Sequence, residues 1–153
     1  MTQSEEVNDR DGTDLITSLS NGAFRESIGL DTEDLPILQR VAERALTAGD
    51  HESAIRTYAI LVLLDPMRTD YQLALAECAL SVDSPDIALH AASAVIAFDP
   101  ANARGYFASA RACIAMGLLD EAREDLDDVC RLAREARDGE LFAAAQALAE
   151  GLA

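Results

Sequence analysis

Between Leu35 and Leu132 the apolar residues fall at spacings of three and four, the period of a helix face. The helical stretches themselves return every 34 residues: Ala42, Ala76 and Ala110 are separated by 76 − 42 = 34 and 110 − 76 = 34, and Ala54, Ala88 and Ala122 repeat the interval. Leu64-Asp65-Pro66 comes back one interval later as Phe98-Asp99-Pro100, and Gly49 and Gly117 lie two intervals apart with Asp83 between them. The punctuation predicts paired helices. Asp34 can cap the first, and Pro36 is tolerated in its opening turn, where N–H groups lack helical partners anyway. Gly49-Asp50 makes a turn, and a helix over 51–64 stops before Pro66. Ser84-Pro85 is a strong start signal, and Gly117 marks the turn of the third pair. That pair lacks the Asp-Pro stop, having Leu132-Ala133-Arg134 instead, so its last helix runs on to Ala136.

Helix pairs with this interval are the signature of tetratricopeptide repeats, which stack into a superhelix with a concave, ligand-holding side. The expected fold is therefore all-α: three helix pairs over 35–68, 69–102 and 103–136, a helical lead-in over 13–30, and a capping helix over 139–151. Residues 1–12, polar and acidic, read as a flexible tail. In the lead-in, Leu15, Ile16 and Leu19 share one face of a short helix, and Phe24 and Ile28 do the same before Gly29. This stretch falls outside the repeat, and its apolar stripe needs a partner, either the first repeat or another copy of the protein.

Composition agrees with close helix packing. Half of the 153 residues are apolar, only 5% are aromatic, and 29 are Ala, the best helix former and the smallest spacer between backbones. Net charge is −16, and all 12 bases are Arg. That balance argues against nucleic acid and against an anionic membrane surface, both of which need clustered cations. No apolar run approaches the ~18 residues of a membrane span, and the N-terminus lacks the basic and apolar regions of a signal peptide, so a cytoplasmic protein is expected. Cys78, Cys113 and Cys130, without CxxC spacing, read as reduced thiols in helix packing. His51 and His90 fall on different helices. No phosphate loop, nucleophile triad or metal-ligand spacing is present, so neither a cofactor, a metal site nor an enzyme is expected.

Chemistry should instead reside on the first helix of each pair, which lines the inner curve. Gln39, Glu43 and Leu46 recur as Leu73, Glu77 and Leu80 and then as Phe107, Arg111 and Ile114, each trio on one helical face. Asp70 and Arg104 correspond to each other nearer the helix starts. These eleven residues form the expected peptide-binding groove, with Leu73 and Phe107 favoured as client contacts. Leu46, Leu80 and Ile114 can equally pack against the next repeat, and Glu77 and Arg111 can pair with each other. Leu38, Val41, Ala42, Leu75, Ala76, Ala79 and Ala110 are assigned to the interlocked helix pairs. Tyr71 and Tyr106 lie along the groove edge or anchor the helix starts.

Length and arrangement, together with Asn21-Gly22-Ala23, Tyr71-Gln72-Leu73-Ala74-Leu75-Ala76-Glu77-Cys78, Ile87-Ala88-Leu89-His90 and Gly117-Leu118-Leu119-Asp120-Glu121-Ala122, resemble the class II chaperones of type III secretion. The resemblance covers roughly Leu15 to Ala136 and departs in the absence of Lys, the acidity and the aromatic-poor groove. It implies a cytoplasmic, bacterial chaperone that takes an extended segment of a membrane-inserting translocator into its groove and keeps the client soluble. It also implies a homodimer when free, through Leu15, Ile16, Leu19 and Phe24. Some relatives bind a transcription activator after client release, but nothing in this sequence marks such a surface. The competing reading is a generic tetratricopeptide adaptor. A version recognising a terminal carboxylate would need cationic and amide rungs, whereas this groove offers Glu43, Glu77 and Arg111.

Overall fold

The structure, a computed structural model, describes residues 23–152. The proposed tail over 1–12 and the stripe residues Leu15, Ile16 and Leu19 lie outside the described residues, as does the side chain of Phe24. Eight α-helices occur among the described residues: α1 (Ala23–Ser27), α2 (Leu35–Thr47), α3 (His51–Leu64), α4 (Thr69–Ser81), α5 (Pro85–Phe98), α6 (Ala103–Met116), α7 (Leu119–Ala136) and α8 (Gly139–Glu150). A short 3-10 turn, Thr32–Asp34, leads into α2. The fold is all-α, with three helix hairpins in succession and a closing helix.

The turns inside the hairpins share one backbone solution. Gly49 (φ 74°), Asp83 (φ 57°) and Gly117 (φ 77°) each follow a first helix in the left-handed region, which frees the chain to reverse. Asp can adopt this region because its short polar side chain tolerates it better than a bulky one does. At the other boundary Asp65 and Asp99 leave helical geometry, followed by Pro66 and Pro100. Two of the expected caps work differently. Asp34 does not cap α2; its carboxylate accepts the Asp31 backbone N–H at 2.8 Å within the 3-10 turn. Ser84 occupies the N-cap of α5 without a side-chain capping bond. By contrast Asp50 accepts the Ser53 N–H at 3.0 Å and Asp138 the Leu141 N–H at 3.0 Å, satisfying donors that the helix leaves open. The hydrogen bonds from Ser53 hold the Asp50 carboxyl below its ordinary pKa.

Packing is dominated by small side chains. Ala42, Ala54, Ala76, Ala79, Ala88, Ala92, Ala110, Ala112 and Ala122 are completely buried, so neighbouring backbones meet with only a methyl group between them. One cluster of buried side chains runs from Leu35 to Ala112, and a second joins Ala110, Leu126, Val129 and Ala145 at the α6–α7–α8 end. From α2 onward each helix packs on the next, and the first helices α4 and α6 also touch each other directly, while second helices have no comparable contact. A stack whose first helices converge and whose second helices diverge is bowed, with α4 and α6 on its inner side. Cys78 and Cys113 are buried and Cys130 half-buried, and burial raises the pKa of all three thiols. No helix among the described residues is long and apolar enough to cross a membrane.

One polar pair interrupts the α6–α7 seam. Asp125 is half-buried there and accepts a hydrogen bond from the Ser109 hydroxyl. Burial raises its pKa, the Ser109 bond opposes that shift, and the neighbouring Asp128 and Glu124 raise it further. A folded pKa above the unfolded one means that the native state binds more protons in the interval between them, so stability falls as pH rises through that interval. Asp125→Asn keeps an acceptor for Ser109 and removes the buried charge. Its melting temperature at about pH 7 should exceed that of the parent by a few degrees, and the gap should close as pH falls towards the carboxylate range. A gap that does not respond to pH would refute the assignment to Asp125.

Candidate functional site

The inner side carries most of its chemistry at the second and third hairpins. Leu73 and Glu77 on α4 face Arg104 and Phe107 on α6, and the first two turns of α8 supply the far wall through Leu141 and Ala144. Together with Asp138 and Glu140 they enclose a cleft of about 340 Å³. A second cleft of about 390 Å³ continues from Leu73 and Arg104 past Asp70 towards Leu132 and Ala136. Leu73 lies on the boundary between the two. Its position is reached because α4 places residues 70, 73 and 77 on one face at helical spacing.

Glu77 and Arg111 form the electrostatic strut of this side. Arg111 Nη1 donates to both carboxylate oxygens of Glu77, at 2.8 and 2.7 Å, across one full interval of the sequence. The guanidinium carbon also lies 5.9 Å from the centroid of the Phe107 ring. The Glu77 side chain is 53% exposed, so the pair contributes ~0.2–1 kcal/mol to stability. Its larger effect is on orientation. It ties α4 to α6 and sets the guanidinium beside the aromatic ring. Arg104, exposed beside Asp138 and Glu140, makes no ion pair among the described residues.

The eleven expected groove residues therefore divide. Asp70, Leu73, Glu77, Arg104 and Phe107 line the two clefts, and Arg111 joins them through its ion pair. Gln39, Glu43, Leu46, Leu80 and Ile114 line neither cleft. Gln39 donates to Glu43 at 2.9 Å along the α2 surface, while Leu46 and Leu80 pack against the main core. Tyr71 is 1% exposed and anchors the start of α4, with Arg68 stacked 4.8 Å from its ring centroid. Tyr106 packs against the second core cluster.

Val41 is a correction. The sequence places it in the helix interlock, yet it is 49% exposed, because nothing among the described residues covers that side of α2. The wall supplied by α8 is a second difference from the groove the sequence predicts. Leu141 and Ala144 share a face at spacing three, which was the available signal, but α8 is apolar on several sides and its pattern does not single out one of them. Arg134 over the Phe142 ring at 5.0 Å, and Arg123 donating to the Leu152 carbonyl at 2.7 Å, hold α8 and the chain end to α7. His51 sits in the first turn of α3 and His90 is exposed on α5. Among the described residues no group of three His, Cys, Asp or Glu side chains is placed to hold a metal.

No protein-family model and no curated protein matches the chain. Solved structures do. PcrH of Pseudomonas aeruginosa, in complex with the chaperone-binding region of PopD, superposes with a TM-score of 0.75 at 27% identity, covering 81% of this chain and 94% of that one. The type III secretion translocator chaperone SycD of Yersinia enterocolitica gives 0.74 at 23% identity over 83% and 96% of the two chains. A chain of a type III secretion complex from Aeromonas hydrophila gives 0.80 at 22% identity over 92% and 95%. The chain is thus similar in fold, over nearly the whole of those proteins, to translocator chaperones.

Proposed function

We propose that this chain is a cytoplasmic chaperone of type III secretion. It binds an extended segment of a hydrophobic translocator on its inner side and keeps that client soluble until export. The observation carrying the reading is the superposition with PcrH, which was solved holding the chaperone-binding region of PopD, taken together with a cleft of about 340 Å³ between α4, α6 and α8. Leu73 and Phe107 supply its apolar floor, and Glu77, Arg104 and Arg111 supply polar partners for a client backbone that would otherwise bury unpaired groups. The outer groove residues Gln39, Glu43, Leu46, Leu80 and Ile114 extend the track along α2, α4 and α6.

Such a role needs binding and release, not bond chemistry, and no enzymatic activity is assigned. Three or four client side chains buried at ~1.5–3 kcal/mol each, less several kcal/mol for ordering the segment, correspond to micromolar to nanomolar binding. The free chaperone is a homodimer in this reading, a second SycD structure being an alternative dimer. Leu15, Ile16, Leu19 and Phe24 are the residues that would carry that contact.

Co-expression provides the test. A co-encoded hydrophobic protein that is insoluble alone should become soluble and co-purify with this chain in a defined ratio. Failure of every such neighbour to be solubilised would overturn the reading in favour of a tetratricopeptide adaptor for an unrelated peptide.

A further inference from the structure

The two clefts on the inner side are not electrically balanced. Around Leu73 stand the carboxylates of Asp70, Asp138 and Glu140, against a single guanidinium, that of Arg104. Glu77 adds nothing to this excess, because Arg111 pairs with it at 2.7 Å. Among the described residues no ion pair engages Asp70, Asp138, Glu140 or Arg104. Asp138 is committed to capping α8 through the Leu141 N–H at 3.0 Å, which leaves Asp70 and Glu140 as exposed carboxylates with no partner of opposite charge. Arg134 and Arg137 do not correct the imbalance. They border a different hollow, with Phe142, which meets these clefts only at Ala133 and Asp138.

The acids do not stand alone on a solvated surface. They rim clefts of about 340 and 390 Å³ whose apolar parts are Leu73, Phe107, Leu141 and Ala144. Apolar floor and uncompensated negative charge are thus offered side by side to whatever lies along α4, α6 and α8. An acidic segment would bring its carboxylate towards three like charges to gain Arg104 alone. A segment with a Lys or Arg gains three attractions against one repulsion. Its aliphatic stem can also lie on the apolar floor while its head group reaches the rim. The net charge of −16 on the whole chain draws such a segment in from solution.

We infer that the client segment seated here is cationic. It carries a Lys or Arg within a residue or two of the apolar side chain that covers Leu73 and Phe107, with the head group set among Asp70, Asp138 and Glu140. This inference rests on the chaperone reading and adds to it the chemistry of the segment. Arg104 opposes the cation, so its charge lowers the affinity for the correct client.

Variants that remove charge but keep size separate the alternatives by sign. Neither Asp70 nor Glu140 makes a side-chain hydrogen bond among the described residues, so Asp70→Asn with Glu140→Gln should melt close to the parent. Arg104→Gln keeps an N–H donor for a client backbone and loses only the charge. The probes are two synthetic peptides, identical except for Lys or Glu beside a central Leu, read by fluorescence anisotropy on the intact chain. The Lys peptide should bind the parent about tenfold more tightly at low salt, and the gap should narrow as salt rises. The acid-neutralised variant should lose the preference, and Arg104→Gln should widen it. A Lys peptide that binds no better than the Glu peptide overturns the inference. A preference that survives in the acid-neutralised variant overturns it as well. Neither result bears on solubilisation of a translocator in co-expression, whose failure would instead overturn the chaperone reading.

Discussion

Leu73→Ala and Phe107→Ala should each weaken client binding about tenfold, and the pair about a hundredfold, because each truncation removes roughly 1.4 kcal/mol of apolar contact from the cleft. The figure is set below the ~1.5–3 kcal/mol of a fully buried side chain because both residues are already partly covered in the free protein. The two variants also differ usefully. Leu73 lies outside both core clusters, whereas Phe107 packs against the second. Leu73→Ala should therefore leave the melting temperature nearly unchanged, so any affinity it loses belongs to the groove. Leu63→Ala is the control: Leu63 is 48% exposed on α3, away from the inner side, and its loss should not alter binding. Calorimetry against the chaperone-binding segment of the co-encoded translocator reads all three. Parent-like affinity in the double variant would remove these residues from the site.

Repeat architecture made the fold easy to read for a physical reason. Helices that must nest closely tolerate only small residues at the crossing, so Ala42, Ala76 and Ala110 stand out at a fixed interval and are all fully buried. Pro85 cannot donate a helical hydrogen bond and so marks the first turn of α5, where the structure begins that helix. Legibility fails where a residue's environment is set by something outside its own interval. Val41 has the same apolar character as Leu75, yet one is exposed and the other buried, because α4 has a helix stacked before it and, among the described residues, α2 does not. The α8 wall fails differently. Leu141 and Ala144 belong to no repeat, so no interval aligns them with Leu73 and Phe107, and only the packing of α8 on α7 brings them there. Hydrogen-bond capping was the least legible level: Asp34 and Ser84 are both good cap residues by type, and neither caps its helix.

Gly105 joins the stability of the stack to the shape of its groove. A Cβ placed on it would lie 2.8 Å from Val95 Cγ1, 3.2 Å from Val95 Cβ and 3.3 Å from Ile96 Cγ1. Val95 is fully buried and β-branched, so its side chain has no alternative rotamer into which to retreat. The gain in helix propensity from replacing Gly is less than ~1 kcal/mol, and forcing extra atoms into a packed seam costs about 1–3 kcal/mol, so the clash wins. Gly105→Val, with the larger side chain, should fall at the upper end and lower the melting temperature by roughly 6–12 °C. Adding Val95→Ala to Gly105→Ala should recover part of the loss, because the two sites share one contact and their effects will not add. One interval earlier, the place held by Gly105 on α6 is held by buried Tyr71 on α4, so the third hairpin is the one whose seam depends on having no side chain there. Phe107 and Arg111 lie on the same helix, two and six residues beyond Gly105 (107 − 105 and 111 − 105). Pushing α6 away from α5 therefore moves the cleft floor and strains the Arg111–Glu77 strut. Gly105→Ala should weaken client binding at temperatures where it is still fully folded, whereas an equally destabilising change outside α6 should not. If affinity follows the folded fraction alone in both, the seam does not position the groove.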